Sequence, residues 1–167
     1  IIQEVQPDLV IEIGTHKGGS TLYIADLLEL NKKGEIHTID LPENNEDAIL
    51  LSHSRIKIFK EGFKNYNTES LLNYKTILII EDGSHQYKDT LATLNKFAPF
   101  VSKDSYFIVE DGIVNELGWE KEFNGGPQKA LKEFLERNSS FIVDKKWCNF
   151  FGVNATFNVN GYLKKII

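Results

Sequence analysis

The stretch that decides the fold is Leu9–Ser20, with the sequence LVIEIGTHKGGS. Its first five residues form an almost continuous apolar run, which is typical of a strand buried on both faces of a parallel sheet. A glycine-rich turn follows, and Leu22, Ala25 and Leu28 then recur at helical spacing. The stretch therefore predicts a strand, a tight turn and a helix, which is the opening unit of an α/β fold.

The same alternation of strands and helices continues along the chain. Further strands are predicted at Ile36–Ile39, Ile56–Phe59, Thr76–Ile80, Tyr106–Val109, Phe141–Asp144 and Thr156–Val159. Helical spacing of apolar residues indicates one helix that starts near Tyr87 and another that starts near Pro127. We therefore predict an α/β fold with a doubly wound sheet and right-handed crossovers between its parallel strands.

Composition limits the classes of function. The 167 residues suit one domain, residues 1–167, and the net charge of −5 disfavours nucleic acid or an anionic membrane as a partner. No apolar stretch approaches the roughly 18 residues that a membrane span needs. The single cysteine excludes an internal disulfide, and we expect a cytoplasmic protein. The chain opens at Ile1 almost directly on a strand and has no methionine, so we expect N-terminal elements to be missing.

The glycine-rich turn Gly14–Ser20 follows the first predicted strand, at the end where open α/β sheets bind ligands. Glycines let the backbone approach a ligand, and the following helix offers free N–H groups. The dinucleotide pattern G-x-G-x-x-G is absent because residue 16 is His, and no P-loop Gly-Lys-Ser/Thr follows. The turn is therefore a candidate cofactor site, or a turn whose glycines serve tight packing alone.

Asp40 ends the second predicted strand. An acidic side chain at this place can accept hydrogen bonds from both ribose hydroxyls of a nucleoside. It can equally be a turn residue or a helix cap before Pro42. Together with the Gly14–Ser20 turn, Asp40 favours a cofactor that carries a nucleoside.

Four carboxylates, Glu81, Asp82, Glu110 and Asp111, follow two successive predicted strands. Because successive strands are commonly neighbours, the carboxylates should converge on one patch, where they repel unless a proton or a cation neutralises them. An all-oxygen set suits Mg²⁺, Ca²⁺ or Mn²⁺ better than zinc. The alternative is that these residues cap the helices that follow.

His85 lies three residues after Asp82, at the start of a predicted helix. Histidine titrates near neutral pH, at roughly 6.5, so this side chain could be the general base for a substrate hydroxyl. A packing role at the helix start is equally compatible. The predicted acceptor loop is Asn115–Asn124. Tyr87, Trp119 and Phe123 are candidates for lining the acceptor pocket, and packing in the core or on the surface is the alternative for each.

The chain resembles class I S-adenosylmethionine-dependent methyltransferases, and within them the cephalosporin hydroxylase/rhamnosyl O-methyltransferase family. The resemblance runs through nearly the whole chain and rests on Val10–Thr15, Lys17–Ser20, Ile80–His85, Ile108–Gly112, Gly126–Pro127 with Ala130 and Phe134–Leu135, and Asn158–Lys164. It implies a Rossmann-like seven-stranded sheet, mostly parallel, with an antiparallel last strand formed by the C-terminal hairpin candidates.

The resemblance also implies roles for individual residues. The implied metal ligands are Asp82, Glu110 and Asp111, and the candidate catalytic residues are His85 and Asp82. The candidate cofactor-binding residues are Glu12, Gly14, Thr15, His16, Gly18, Gly19, Ser20 and Asp40, of which Glu12 is expected to order the turn. Macrolide-sugar O-methyltransferases are similar in the turn and in the Asp-x-x-His step. The family more often has an acid where this chain has Ser84, so a further metal contact at this position is not implied.

These observations predict an O-methyltransferase that uses S-adenosylmethionine and Mg²⁺ or another divalent cation, with a small-molecule or sugar hydroxyl as acceptor. One alternative is an NAD-dependent oxidoreductase with Asp40 on the ribose, which the missing dinucleotide pattern disfavours. The other is a non-catalytic Rossmann-like domain for ligand binding or assembly, which the retained carboxylates disfavour. The sequence decides neither the acceptor nor the oligomeric state, and a homo-oligomer is compatible with it.

Overall fold

The computed structural model describes residues 1–42, 50 and 52–167. Its strands are β1 (Leu9–Ile13), β2 (Glu35–Ile39), β3 (Ile56–Phe59), β4 (Ile77–Glu81), β5 (Tyr106–Val109), β6 (Phe141–Val143) and β7 (Tyr162–Lys165). They form one seven-stranded sheet in the order β3-β2-β1-β4-β5-β7-β6. β7 pairs antiparallel with β5 and with β6, and the other pairs are parallel. The predicted fold class, including the antiparallel last strand, is confirmed.

Among the described residues, three longer helices cover the sheet: α1 (Gly19–Leu30), α2 (Tyr87–Phe97) and α3 (Gly126–Arg137). Shorter helical segments lie at Ile2–Val5, Gly62–Asn65, Ile113–Glu116 and Lys145–Cys148, with 3₁₀ turns at Glu69–Asn73 and Ala98–Phe100. The apolar side chains of α1 pack on one face of the sheet, and those of α2 and α3 pack on the other. The sheet is therefore doubly wound, as its long apolar strands predict.

The carboxyl ends of the four central parallel strands lie level with one another. Ile13 is in register with Ile39 of β2 and with Glu81 of β4, and Glu81 is in register with Val109 of β5. The backbone pairing continues for one residue beyond each strand, through N–H groups that donate to the neighbouring strand. Strand order reverses at β1, so this edge is the switch point where such sheets bind ligands.

The strand predicted at Thr156–Val159 is wrong. These residues form turns, in which the N–H of Asn158 donates to the hydroxyl of Thr156 at 3.1 Å and the N–H of Gly161 donates to the carbonyl of Asn158 at 2.9 Å. Asn160 adopts a left-handed conformation, with φ of +56°. Such local hydrogen bonds compete with strand pairing, so the strand begins only at Tyr162.

Three other strands have bounds that differ by one residue from the prediction. β2 begins at Glu35 and β4 is shifted to end at Glu81, while β6 ends before Asp144. Asp144 instead caps the helical turn Lys145–Cys148 by accepting a hydrogen bond from the N–H of Lys146 at 2.9 Å.

Gly161 lies against the end of β5. Its carbonyl accepts a hydrogen bond from the N–H of Val109 at 2.8 Å, and a β-carbon at residue 161 would overlap the Val109 carbonyl oxygen. The close approach therefore needs glycine.

None of the helices in the described part of the chain is long and apolar enough to cross a membrane.

Candidate active site

Asp40 holds the start of the Gly14–Ser20 turn. One of its carboxylate oxygens accepts hydrogen bonds from the N–H groups of Thr15 and His16, both at 2.9 Å, and the other accepts from the N–H of Leu41 at 2.7 Å. The structure therefore brings the two predicted cofactor elements, the turn and Asp40, into direct contact.

Glu12 orders the other end of the turn from inside the protein. Its buried carboxylate accepts hydrogen bonds from the hydroxyls of Ser20 at 2.6 Å, Thr38 at 2.8 Å and Thr21. Burial raises the pKa of Glu12. The side chain connects β1, β2 and the start of α1, and thereby fixes the turn relative to the sheet.

Gly14 brings the turn against the end of β4. Its φ of +99° lies in the left-handed region, and a β-carbon at this position would overlap the carbonyl oxygen of Asp82. Any other residue would therefore have to shift the backbone of the turn or of residues 82–83. The cofactor turn and the acidic strand end consequently form one unit.

A cavity of about 460 Å³ opens beside this unit, a volume within the usual range for small-molecule sites. It is lined by Ile13, Gly14, His16, Ile39, Asp40, Leu41, Glu61, Gly62, Phe63, Lys64, Asn65, Glu81, Asp82, Gly83, Ser84 and Asp89. Three predicted cofactor residues, Gly14, His16 and Asp40, line it directly. The other five, which are Glu12, Thr15, Gly18, Gly19 and Ser20, do not line it but build the turn behind it.

Sequence reasoning missed the wall that Glu61–Asn65 contributes. The segment follows β3 at the same edge of the sheet, and Gly62 has a left-handed φ of +71°. Its position directly after a strand, with a glycine, was the signal that could have identified it.

The acidic strand ends bring three donor groups together. One ligand atom each of Asp82, His85 and Asp111 lies within 4.8 Å of the others, and His85 Nε2 lies 3.3 Å from Asp111 Oδ2. We call these three residues the metal-type group. It contains two predicted metal ligands, Asp82 and Asp111, and the predicted base, His85. Glu110 is the third predicted ligand. Among the described residues, it does not belong to the metal-type group.

Burial and crowding make negative charge costly at this place. Burial, and then the charges of Glu110 and Asp111, raise the pKa of Asp82 to about 8. Burial also raises the pKa values of Glu110 and Glu81 to about 7. Carboxylates in such surroundings gain from a bound cation, which neutralises them without a proton.

The backbone is strained at His85 and Asp111, which lie close to each other beside Asp82. His85 has a φ of +55° and Asp111 has a φ of +53°, both left-handed. Such conformations cost a non-glycine residue on the order of 1–3 kcal/mol and concentrate at functional sites. The Nδ1 atom of His85 is buried and has no hydrogen-bond partner in the part of the chain that the structure describes.

The raised pKa values predict how stability depends on pH without metal. Glu81, Asp82 and Glu110 bind protons more tightly in the folded chain than in the unfolded chain, so the free energy of unfolding should fall as pH rises from about 6.5 to 8. Burial lowers the pKa of His37, and this residue opposes the trend only below the ordinary pKa of histidine, roughly 6.5. Thermal melts in a chelator would measure the fall, and Mg²⁺ should reverse it most at pH 8. A melting temperature that rises from pH 6.5 to 8 would contradict the prediction.

Comparison with known proteins agrees with this geometry. The family model described as Rhamnosyl O-methyltransferase/CmcI matches residues 1–166. The chain is 26% identical over 170 residues to a rhamnosyl O-methyltransferase of Mycobacterium leprae, covering 98% of this chain and 73% of that protein. It is 28% identical over 172 residues to the protein of that name from Mycobacterium tuberculosis, covering 98% and 69%.

Solved structures share the fold. A structure of CmcI with Mg and SAM superposes with a TM-score of 0.69 at 19% sequence identity, covering 99% of this chain and 68% of that one. The methyltransferase MycE, in complex with Mg, SAH and mycinamycin VI, gives a TM-score of 0.52 at 22% identity over 77% of this chain and 36% of that one.

The family match extends over nearly the whole chain, and it disfavours both the NAD-dependent oxidoreductase and the non-catalytic domain. The chain belongs to the rhamnosyl O-methyltransferase/CmcI family and is an S-adenosylmethionine-dependent O-methyltransferase, as its sequence predicted.

Proposed function

We propose that this chain methylates a sugar hydroxyl, with the cofactor in the 460 Å³ cavity and a divalent cation at the neighbouring acidic strand ends. One observation carries the proposal. Asp82 both lines the cavity and belongs to the metal-type group with His85 and Asp111. A methyl donor and a cation-held hydroxyl would therefore meet at a shared wall, which is the arrangement that methyl transfer requires.

The residues present fit a divalent cation. Asp82 and Asp111 supply carboxylate oxygens, which Mg²⁺ prefers, and the charge of Glu110 acts on Asp82 from close by. We propose Asp82, Asp111 and Glu110 as the metal ligands. The raised pKa of Asp82 indicates that this position favours a neutralising partner.

The residues around the cavity fit a nucleoside-bearing cofactor. Gly14 leaves the backbone accessible, and the carboxylate of Asp40 lies where ribose hydroxyls are bound in such folds. His16 and the half-buried ring of Phe63 add a polar and an aromatic surface, the latter suited to a purine base. We propose these four residues as direct contacts, with Glu12, Thr15, Gly18, Gly19 and Ser20 supporting the turn.

The names of the relatives support a sugar as the acceptor. The similar curated proteins are called rhamnosyl O-methyltransferases. A further structure with a TM-score of 0.57, at 17% identity over 76% of this chain and 62% of that one, is described as the TDP-rhamnose 3'-O-methyltransferase CalS11. A sugar has hydroxyl groups on neighbouring carbons. Two such hydroxyls could both bind a cation that is held by the carboxylates at the strand ends.

In the proposed mechanism the chain's own residues orient the reactants and move one proton. When bound, S-adenosylmethionine supplies an electrophilic methyl group, and the cation lowers the pKa of the acceptor hydroxyl. His85 Nε2 lies 3.3 Å from Asp111 Oδ2, so Asp111 would hold the imidazole beside the metal-type group. His85 would take the proton of the acceptor hydroxyl during methyl transfer. Asp82 and Gly14 keep the two reactants at adjacent sites.

The experiment that tests the proposed function measures S-adenosylhomocysteine production from S-adenosylmethionine and Mg²⁺ with a panel of rhamnosides and nucleotide-linked sugars. Transfer to a sugar hydroxyl that a chelator abolishes is the expected result. Calorimetry with S-adenosylhomocysteine measures cofactor binding separately. Transfer only to catechols would overturn the sugar acceptor, and neither binding nor transfer would overturn the whole proposal.

Replacing His85 by Gln is expected to lower kcat about 10²- to 10⁴-fold, because the general base is lost. Binding of Mg²⁺ and of S-adenosylhomocysteine should stay within about twofold of the wild type, since the proposed metal ligands are retained. Calorimetry and initial rates measure the two effects. Loss of metal affinity in His85→Gln would instead make His85 a metal ligand, a role that its place in the metal-type group also permits.

The proposal includes neither nucleic acid nor a membrane as a partner, which the net charge of −5 supports. We place the protein in the cytoplasm, in agreement with its single buried cysteine, and treat residues 1–167 as one domain built on one sheet. Assembly into a homo-oligomer is a further part of the proposal, and light scattering at several concentrations would test it.

A further inference from the structure

Gln86 ties the start of α2 to the acceptor loop, Asn115–Asn124. Its side-chain N–H donates to the carbonyl of Glu122 at 3.2 Å, and its side-chain oxygen accepts from the amide of Asn124 at 2.6 Å. Between these two bonds, the N–H of Tyr87 donates to the carbonyl of Phe123 at 3.1 Å. Three consecutive loop residues are thus bonded to two consecutive residues that directly follow His85.

The tie places an aromatic ring against His85. The ring of Phe123 meets the imidazole edge-on, with centroids 6.0 Å apart and planes at 71°. His85 also approaches Asp111 at 3.3 Å, so its ring contacts both the loop and Asp111. A displacement of Phe123 would therefore change the packing of the imidazole and the wall that faces an acceptor.

In the described part of the chain, the other hydrogen bonds of the loop run within the loop and to the residues on either side of it, such as the bond from the N–H of Gly126 to the carbonyl of Phe123 at 3.0 Å. At its two ends, the side-chain amide of Asn115 donates to the carbonyl of Gly125 at 3.0 Å, which closes the loop on itself rather than on α2. Its middle is exposed, with the side chain of Trp119 at 51% relative exposure and a left-handed Gly118. The link between loop and imidazole is therefore concentrated at residues 86–87.

We propose that Gln86 is a positioning residue for methyl transfer, holding the acceptor loop so that Phe123 sets the orientation of His85 toward the acceptor hydroxyl. This inference rests on the proposed function. Gln86 itself touches neither reactant, and it acts through two hydrogen bonds and one ring contact.

The kinetic test uses three substitutions of Gln86 in the full chain. Gln86→Met keeps the length of the side chain without its hydrogen bonds, Gln86→Ala removes both, and Gln86→Glu keeps only the oxygen that accepts from Asn124. We expect Ala and Met to lower kcat/KM for the sugar about tenfold, as a misplaced catalytic group does, with Glu between them and the wild type. Dissociation constants for S-adenosylhomocysteine and Mg²⁺ should change less than about twofold, because neither site contains Gln86.

A structural readout tests the tie without any substrate. Lys121 is exposed in the loop, so trypsin should cut after it faster in Gln86→Met than in the wild type. The chain has two tryptophans, and in a Trp147→Phe background the fluorescence anisotropy of Trp119 should fall on the same substitution. Gln3→Ala is the matched control, since that exposed glutamine donates one side-chain hydrogen bond to Asn31 at 3.0 Å, in a different part of the chain.

The outcomes separate this inference from the proposed function. Faster cleavage with unchanged kcat/KM would show that the loop is tied but does not position the base, and would overturn the inference. Unchanged cleavage and anisotropy would overturn the tie itself. A wild-type chain that transfers no methyl group would overturn the proposed function instead, and the loop readouts would still report on the hydrogen bonds of Gln86.

Discussion

Replacing Asp82 by Asn is expected to lower kcat/KM for methyl transfer by a factor on the order of a thousand. A divalent ion contributes several kcal/mol to stabilising a transition state, and each ~1.4 kcal/mol is tenfold in rate. Asn has the shape of Asp without its charge, so the cavity wall should survive while the affinity for the cation is lost. Titration with Mg²⁺ and Mn²⁺ by calorimetry, together with initial rates, measures both quantities.

The melting temperature of the same variant serves as a control for damage to the fold. Burial and neighbouring carboxylates disfavour a charge at residue 82, so Asp82→Asn should melt at a higher temperature than the metal-free wild type at pH 8. A stabilised but inactive variant cannot be explained by damage to the fold. Asp104→Asn, at an exposed residue 3.9 Å from Lys164, is the matched control and should behave as the wild type does. If Asp82→Asn kept full metal affinity and activity, the assignment of Asp82 to the metal would be wrong.

Replacing Gly14 by Ala is the second large effect that we expect. The new β-carbon would overlap the carbonyl oxygen of Asp82, and the left-handed φ of +99° is itself unfavourable for alanine. The turn would have to move away from β4, and with it the wall of the cavity. We expect S-adenosylhomocysteine to bind at least about 100-fold more weakly, because strain of this kind costs a few kcal/mol.

Gly19→Ala is the matched substitution for this experiment. A β-carbon at Gly19 meets no atom within 4 Å, and the residue lies in the first turn of α1. Its melting temperature should therefore equal that of the wild type, while Gly14→Ala melts lower. Gly14→Ala with wild-type stability and wild-type affinity would show that the close approach of the turn to Asp82 is unnecessary.

The central strands could be predicted from the sequence because they are buried on both faces. Leu9–Ile13 and Tyr106–Val109 have the predicted boundaries, since an apolar run flanked by polar turns leaves little choice. The edge strand Ile56–Phe59 is only partly buried, and it also has its predicted boundaries. The C-terminal region could not be predicted in this way. Asn and Thr side chains between residues 154 and 160 form local hydrogen bonds, and their apolar neighbours Phe157 and Val159 give a strand-like pattern that the backbone does not follow.

The candidate site was predictable in outline but not in its geometry. Strand order brings Asp82 and Asp111 to one edge, and the sequence predicts that much. Two adjacent residues at a strand end, however, direct their side chains differently, and the left-handed conformation of Asp111 decides which of Glu110 and Asp111 meets His85. A left-handed φ in a residue other than glycine has little signal in a single sequence. Whether Glu110 contacts the metal stays a prediction.

The position of β7 has a consequence for the order in which a growing chain can complete this enzyme. β7 follows β6 in the chain but lies between β5 and β6 in the sheet, so β6 pairs only after β7 has been synthesised. Gly161, which leads into β7, also closes against Val109, two residues before Asp111. A nascent chain that has not reached residue 161 therefore presents an open β5 edge, to which other chains can pair, and an incomplete support for the proposed metal site. Premature termination in this region yields a product prone to aggregation rather than a slower enzyme.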